Sequence, residues 1–301
     1  MTNAPTTTQR DPHGLGWGDL VWSHFSRPRH GDLEERLDAA ASAGFLGVGL
    51  YLGEVRRVLA DGWTLDRLRG ELDERGLALA DVEALRGWAD PDGSSARAAC
   101  ADDEALIARI ADEVGVHNVQ VIGPHPGDRD VAIDSLGRLA SRLDALGLVA
   151  SVEWLPFTNI DTIAEARAMI EATEATNLGL CADIWHHRRG GNDEAALAAL
   201  PGELVTSIQL NDGGPEQIGD DYKVDCLANR IVPGAGTFDC VGFLRTLLAT
   251  GTDAPLALEV CSTEMWRVPA AEAATRAADA ARDVLAALER EGTPDEQQTC
   301  A

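Results

Sequence analysis

The chain has 301 residues, 45% of them hydrophobic, which is enough to bury one sizeable core. Fifty acidic residues face 25 basic ones, a formal charge of −25. That balance excludes a surface built to hold nucleic-acid phosphates or an anionic membrane, although a local pair of arginines can still hold an anionic small molecule.

In chain order, short apolar runs alternate with amphipathic helical segments. Asp19 to Ser26 reads as a first strand, Leu33 to Ala43 as a helix, Phe45 to Leu52 as a second strand and Thr64 to Arg75 as the next helix. Leu77 to Leu85 is the third strand, followed by a helix from Ala96 to Val114 and a fourth strand, Asn118 to Gly123. The helix Val131 to Leu146 carries Leu136, Leu139, Leu143 and Leu146, the 3-4-3 spacing of a buried stripe. Val149 to Leu155, Leu178 to Trp185, Val205 to Leu210 and Pro255 to Cys261 are the remaining strands. Helices are predicted at Thr162 to Thr173, Asp193 to Leu200, Val241 to Ala249 and Ala270 to Glu289.

Strict strand–helix alternation implies parallel strands with helical crossovers. Eight repeats in about 280 residues is the count of an α/β fold of the (β/α)8 TIM-barrel type. A doubly wound open sheet is the alternative, and its glycine-rich phosphate turn after an early strand is missing; Gly14-Leu15-Gly16-Trp17-Gly18 precedes the first strand. A single catalytic domain is expected over residues 14–290, with disordered tails at 1–13 and 291–301.

The six cysteines form no C-x-x-C and no paired framework, so buried thiols and a reducing, cytoplasmic setting are expected. Residues Met1 to Pro12 lack the apolar core of a signal peptide. No run approaches the roughly 20 apolar residues that span a bilayer.

In a barrel, side chains at the C-terminal strand ends converge on one mouth. Strand five ends at Glu153, six at Asp183, seven at Gln209 and eight at Glu259. Three carboxylates in one pocket repel, and a divalent cation removes that problem, so the clustering itself argues for a metal. The bland alternative is that acids mark strand ends in an acidic protein. In Cys181-Ala182-Asp183-Ile184-Trp185-His186 the aspartate is followed by a histidine three residues on.

The chain resembles the xylose isomerase-like barrels, the sugar phosphate isomerase/epimerase superfamily (AP endonuclease 2-like) that also includes inosose dehydratases and endonuclease IV. The residues carrying the resemblance are Glu153 in SVEW, Asp183 and His186 in D-x-x-H, Gln209 and Asp212 in QLND, Arg230 with Pro233-Gly234-Ala235-Gly236 in RIVPGAG, and Glu259 in LEV. The resemblance implies Glu153, Asp183, Gln209 and Glu259 as metal ligands, with His186 and Arg230 on substrate oxygens. Two departures stand out: Gln209 replaces a histidine of many relatives, and PGAG replaces PGEG. An amide oxygen in an all-oxygen set favours Mn²⁺ or Mg²⁺ over Zn²⁺. The DNA-binding endonuclease branch uses several further histidines; here only seven exist in total.

Glu83, with Asp81 on the same face, His24, His125 and Lys223 are further pocket candidates, each with a structural or rim role as the alternative. Trp185 is a candidate for stacking on a sugar face, and Trp22, Trp88, Trp154 and Trp266 also lie at or beyond strand ends. Arg188-Arg189 is either an anion clamp or a solvated loop. The machinery implied is a divalent-metal isomerase or epimerase acting on a small polyhydroxy-carbonyl substrate through an enediolate, with Glu153 or Glu259 moving the proton and His186 polarising the carbonyl. A metal-dependent dehydratase or keto-glycoside-cleaving lyase shares the first half of that mechanism, and a non-catalytic partner subunit is the third reading. Barrels often pair, so a homo-oligomer stays open.

Overall fold

Every apolar run predicted as a strand pairs in parallel with its sequence neighbour, and the eighth closes on the first. The structure is a computed structural model that describes residues 14–28 and 30–292. Of the tails expected at 1–13 and 291–301, residues 1–13 and 293–301 lie outside the described residues, while 291 and 292 end the last helix.

The strands are β1 (Leu20–Trp22), β2 (Gly47–Tyr51), β3 (Ala78–Leu85), β4 (Asn118–Ile122), β5 (Val149–Glu153), β6 (Leu178–Asp183), β7 (Val205–Leu210) and β8 (Leu256–Leu258). They run β1-β2-β3-β4-β5-β6-β7-β8 around a closed barrel. This is the (β/α)8 architecture, in one domain.

The helices are α1 (Leu33–Ser42), α2 (Leu52–Ala60), α3 (Leu65–Arg75), α4 (Ser95–Glu113), α5 (Arg129–Asp144) and α6 (Ile163–Thr173). The second half adds α7 (Ile184–Arg189), α8 (Glu194–Ala198), α9 (Tyr222–Ala228), α10 (Cys240–Ala249) and α11 (Ala270–Gly292). Most start on a side-chain cap that satisfies an orphan amide: Asp32 accepts from Glu35 N, Thr64 from Arg67 N, Ser94 from Arg97 N and Thr162 from Glu165 N.

The alternation is less strict than one helix per repeat. Repeats two, six and seven each carry two helices. α2 was absent from the predicted elements because Leu52, its first residue, continues the apolar run of β2, and Tyr51 at its start makes no side-chain cap. The first strand is shorter than the predicted Asp19 to Ser26. The Ser23 hydroxyl accepts from Phe25 N and turns the chain into a 3-10 turn at His24–Ser26. β6 ends at Asp183 rather than Trp185 because the Asp183 carboxylate caps α7, accepting from Trp185 N at 2.8 Å. On α5, Leu136, Leu139 and Leu143 are buried as predicted, while Leu146 lies past the helix and is 40% exposed.

Register levels the strand ends. Ile122 pairs with Glu153, Glu153 with Cys181 and Asp183 with Gln209, and Glu259 N donates to Leu210 O at 3.2 Å. The polar residues predicted at the ends of β5 to β8 therefore stand side by side at one mouth.

Candidate active site

Asp183 lies at the centre of the mouth and is fully buried. Its Oδ1 accepts from Trp185 N and from Asn211 Nδ2, both at 2.8 Å. Its Oδ2 accepts from Arg230 Nη1 at 2.6 Å. The same Nη1 donates to Glu259 Oε2 at 2.9 Å, so one guanidinium bridges the ends of β6 and β8. Glu259 Oε1 accepts from Ser23 Oγ at 3.3 Å. Glu153 Oε2 accepts from Gln120 Nε2 at 2.9 Å, and His186 Nε2 stands 3.4 Å from Glu153 Oε1 and 3.6 Å from Asp183 Oδ2. Ligand atoms of Glu153, Asp183 and His186 all lie within 4.8 Å of one another.

α9 holds the other side. Tyr222 stacks on His186 with 6.3 Å between ring centroids, and its hydroxyl lies 3.1 Å from His186 Nδ1. Arg230 is fixed by Cys226, donating from Nε to the carbonyl at 3.0 Å and from Nη2 to Sγ at 3.2 Å. The QLND and PGAG motifs meet below: the Asp212 carboxylate accepts from Gly213, Gly236 and Phe238 amides. Gly236 allows that close approach, because a Cβ there would overlap Asp212 and the Gly213 carbonyl.

Burial dominates the electrostatics. It pushes Glu153 well above the ordinary carboxyl range, reinforced by Glu259 and Asp183, and it pushes Glu259 up to about 7 against the opposing Arg230. Burial pulls His186 down to about 3, so its imidazole is neutral. Above these groups opens a cavity of about 610 Å³ whose walls are largely apolar and aromatic, with Arg86 and Lys223 among its lining residues.

The family model described as xylose isomerase-like TIM barrel matches residues 37–289. The chain belongs to that family. Among curated relatives, 3-dehydroshikimate dehydratase of Pseudomonas aeruginosa is 28% identical over 237 residues, 76% of this chain and 36% of that protein. The 3-dehydroshikimate dehydratase of Pseudomonas putida is 26% identical over 286 residues, 88% of this chain and 42% of that protein. The chain thus spans well under half the length of both. Among solved structures, the IolI protein with a bound zinc atom superposes with a TM-score of 0.81 at 17% identity, covering 90% of this chain and 99% of that one.

The donors of this xylose isomerase-like barrel fit a divalent cation. Glu153 Oε1 and Gln209 Oε1 are buried oxygens without a hydrogen-bond partner, and buried acceptors of that kind are rare unless something else satisfies them. Glu153 and Asp183 stand together with His186, Gln209 is beside Asp183 in register, and Glu259 joins them through Arg230.

Other predicted residues of this family member fall elsewhere. Glu83 is buried beneath the mouth and accepts from His24 N at 3.3 Å; neither Glu83 nor Asp81 lines the cavity. His24 lines a neighbouring cavity with Arg27. Trp185 is buried against Phe238, with the Arg230 guanidinium 5.5 Å from its ring centroid, and does not line the pocket. None of Trp22, Trp88, Trp154 and Trp266 lines it either; Phe25, Tyr51 and Phe157 supply its aromatic wall. His125 is buried, exchanging backbone hydrogen bonds with Asn159. Arg189 donates to the carbonyls of Gly214 and Glu216, and Arg188 to Asn192 and Glu194, so that pair ties loops together. Sequence reasoning missed Gln120, Ser23, Asn211, Tyr222 and Cys226. Asn211 sits inside the quoted QLND; the other four carried no motif.

Proposed function

We propose that the chain is a divalent-metal-dependent dehydratase acting on a carboxylate-bearing cyclic hydroxy-ketone of the 3-dehydroshikimate class. The observation that carries this reading is a pair of buried carboxyl groups, Glu153 and Glu259, in the lining of a pocket with largely apolar walls and two exposed cations, Arg86 and Lys223, besides the buried Arg230. A sugar with a hydroxyl on every carbon needs polar partners around its whole edge. A partly deoxygenated ring acid instead places its C–H faces on Phe25, Tyr51 and Phe157 and its carboxylate near a cation. The relatives named as 3-dehydroshikimate dehydratases support the same class.

Glu153, Asp183, Gln209 and Glu259 would hold the cation, and the all-oxygen part of the set favours Mn²⁺ or Mg²⁺. When bound, the cation supplies Lewis-acid stabilisation of negative charge developing on the substrate's carbonyl oxygen. The Glu153 carboxylate, made more basic by burial, removes the proton from the carbon beside the carbonyl. The C–H electron pair forms the new double bond, the β-hydroxyl departs, and the proton leaves with it as water. Burial keeps the Tyr222 hydroxyl protonated; it lies 3.1 Å from His186 Nδ1 while Arg230 Nη2 lies 3.3 Å from Nε2, so the neutral imidazole is held from both sides beside the substrate. Arg230 orients Asp183 and Glu259 through its hydrogen bonds to both.

Isomerisation or epimerisation is the second reading. Two buried carboxyl groups with raised affinity for a proton, Glu153 and Glu259, are what a proton-returning enzyme needs. The test is product analysis with Mn²⁺-loaded protein offered 3-dehydroshikimate, inososes and neutral ketoses. Loss of water from the acid substrate supports the proposal; interconversion of ketoses alone overturns it. Glu153→Gln should abolish solvent-deuterium exchange with the fold intact, and unchanged exchange removes Glu153 from the base role.

A further inference from the structure

A second cavity, about 420 Å³, opens between the 3-10 turn after β1 and helices α1 and α2, lined by His24, Arg27, Arg36, Glu54 and Arg57 among others. Phe25 and Tyr51 line both this cavity and the substrate pocket, so their rings form the wall between the two.

The charge inside it is unbalanced. Three guanidinium groups face one lining carboxylate. Glu54 accepts from Arg36 and, at 3.0 Å, from Arg57, and lies 3.6 Å from His24 Nδ1. Although burial works against it, Arg36, Arg27 and Arg57 hold Glu54 below the usual carboxyl range. Arg57 has a second partner in Asp61, which is well exposed. Arg27 has none of these. It is 2% exposed, and its Nη2 donates to the Gly49 carbonyl at 3.0 Å and lies 2.7 Å from His24 Nδ1. Its Nε and Nη1 are buried without any partner. Asp81 and Glu83 on β3 act on it electrostatically without a hydrogen bond to it, and burial raises both, Asp81 to about 6. Burial, and then Arg36, pull Arg27 itself down to about 10, against the opposing Glu54, Glu83 and Asp81.

Leaving guanidinium donors buried and unpaired is costly, and in a chain of net charge −25 a pocket with a surplus of arginine is a local exception to the overall field. The lining itself carries three guanidinium groups and one carboxylate, with unpaired donors on Arg27, and arginine is the side chain suited to phosphoryl oxygens. We propose that this cavity is a phosphate-binding site, separate from the catalytic pocket, that takes a phosphoryl group as inorganic phosphate or as the end of a phosphomonoester. Bound there, the phosphoryl group satisfies Arg27, draws Arg36 and Arg57 together, and packs against the far side of the Phe25–Tyr51 wall. The site therefore communicates with the substrate pocket through two rings. The inference does not depend on the reaction proposed above, because it is read out by binding.

The test is calorimetric titration of the full chain, metal-free so that phosphate and a catalytic cation do not bind each other, with inorganic phosphate, glycerol 3-phosphate and acetate. Saturable binding of phosphate without comparable acetate binding is expected, and tighter glycerol 3-phosphate binding assigns the ester as the source. Arg57→Gln, a half-exposed position that leaves the core intact, should weaken phosphate binding by about tenfold. Arg86→Ala, in the other cavity, should leave it unchanged. Arg27→Lys serves as a second variant that retains charge and loses the directed donors, and it should also weaken binding. No saturable phosphate binding, or binding lost on Arg86→Ala and retained in Arg57→Gln, overturns the proposal.

Discussion

Arg230 Nη1 lies 2.6 Å from Asp183 Oδ2 and 2.9 Å from Glu259 Oε2, so a guanidinium binds two of the carboxylates that a divalent cation would share. Removing one partner of a buried ion pair strands the other charge, at about 3–5 kcal/mol. Arg230→Met should therefore lower the stability of the metal-free protein by about that amount. Saturating Mn²⁺ should recover much of the loss. Denaturant unfolding with and without Mn²⁺ checks this; an equal loss in both conditions means the guanidinium and the cation do not act on the same carboxylates.

Glu259 is pushed to about 7 by burial, against Arg230, and Glu153 is pushed well up by burial and by Glu259 and Asp183. An acid with a folded value above its unfolded one binds more protons when folded. Its stabilising contribution is present below the ordinary value of 4.5 and is lost as pH rises through about 7. Cation binding needs the deprotonated groups, so it has the opposite slope. The melting midpoint of metal-free protein should fall between about pH 5 and about pH 7.5, while the gain on adding Mn²⁺ grows over the same window. A Mn²⁺ gain independent of pH would detach the cation from these carboxyl groups.

Gln209 offers a buried amide oxygen with no partner of its own, beside Asp183 in register. Replacing it with histidine substitutes a nitrogen donor, which zinc prefers more strongly than manganese does. Gln209→His should shift the zinc-to-manganese preference by about tenfold or more toward zinc, measured by competition titration. An unchanged preference would place Gln209 outside the coordination sphere.

How much of this was legible in the chain depends on the range of the interaction. Glu153, Asp183 and Glu259 were readable because each ends an apolar run, and barrel topology alone brings such ends together. The cross-strand supports were not. Gln120 reaches Glu153 and Ser23 reaches Glu259 only through register between strands, which a linear pattern does not encode. α2 was hidden because Leu52 extends the hydrophobic run of β2, so the change from strand to helical periodicity falls inside one apolar stretch. Arg27, in a polar Arg-Pro-Arg-His segment, carries no motif, yet the fold buries it against the Gly49 carbonyl. Trp185 looked like a sugar-stacking ring; the cap at Asp183 turned it onto α7 and into the packing against Phe238.

The Asp212–Gly236 contact gives a prediction about the glycine turn. A Cβ at Gly236 would overlap Asp212, which accepts from the Gly213 and Gly236 amides, and the Gly213 carbonyl, which accepts from Thr237. Gly236→Ala should cost about 1–3 kcal/mol by overpacking. Gly234 has positive φ, and a Cβ there meets only the Val284 side chain at 3.4 Å, so its substitution by alanine should cost through backbone strain rather than through a clash. Thermal unfolding of the two variants separates these: Asp212→Ala should erase the part of the Gly236→Ala penalty that comes from the carboxylate, the Gly213 carbonyl contact remaining, and little of the Gly234→Ala penalty. Additive effects in both pairs would rule out the clash as the cause.

Arg86 and Lys223 line the pocket with charges opposite to that of an acid substrate, and Lys223 also lies 5.9 Å from the Phe157 ring. Both are exposed, so screening limits what each contributes to holding a carboxylate. Loss of one should raise KM for an acid substrate by about three- to tenfold while leaving kcat nearly unchanged, the signature of binding that is equal in ground and transition states. The double variant Arg86→Ala/Lys223→Ala should lose more than either single one, and raised salt should weaken the wild-type enzyme toward the same KM. A neutral ketose should be indifferent to all three changes. Steady-state kinetics on one acid and one neutral substrate decides the matter: if the neutral compound suffers the same rise in KM, the two cations do not read substrate charge, and the preference for an acidic ring falls with them.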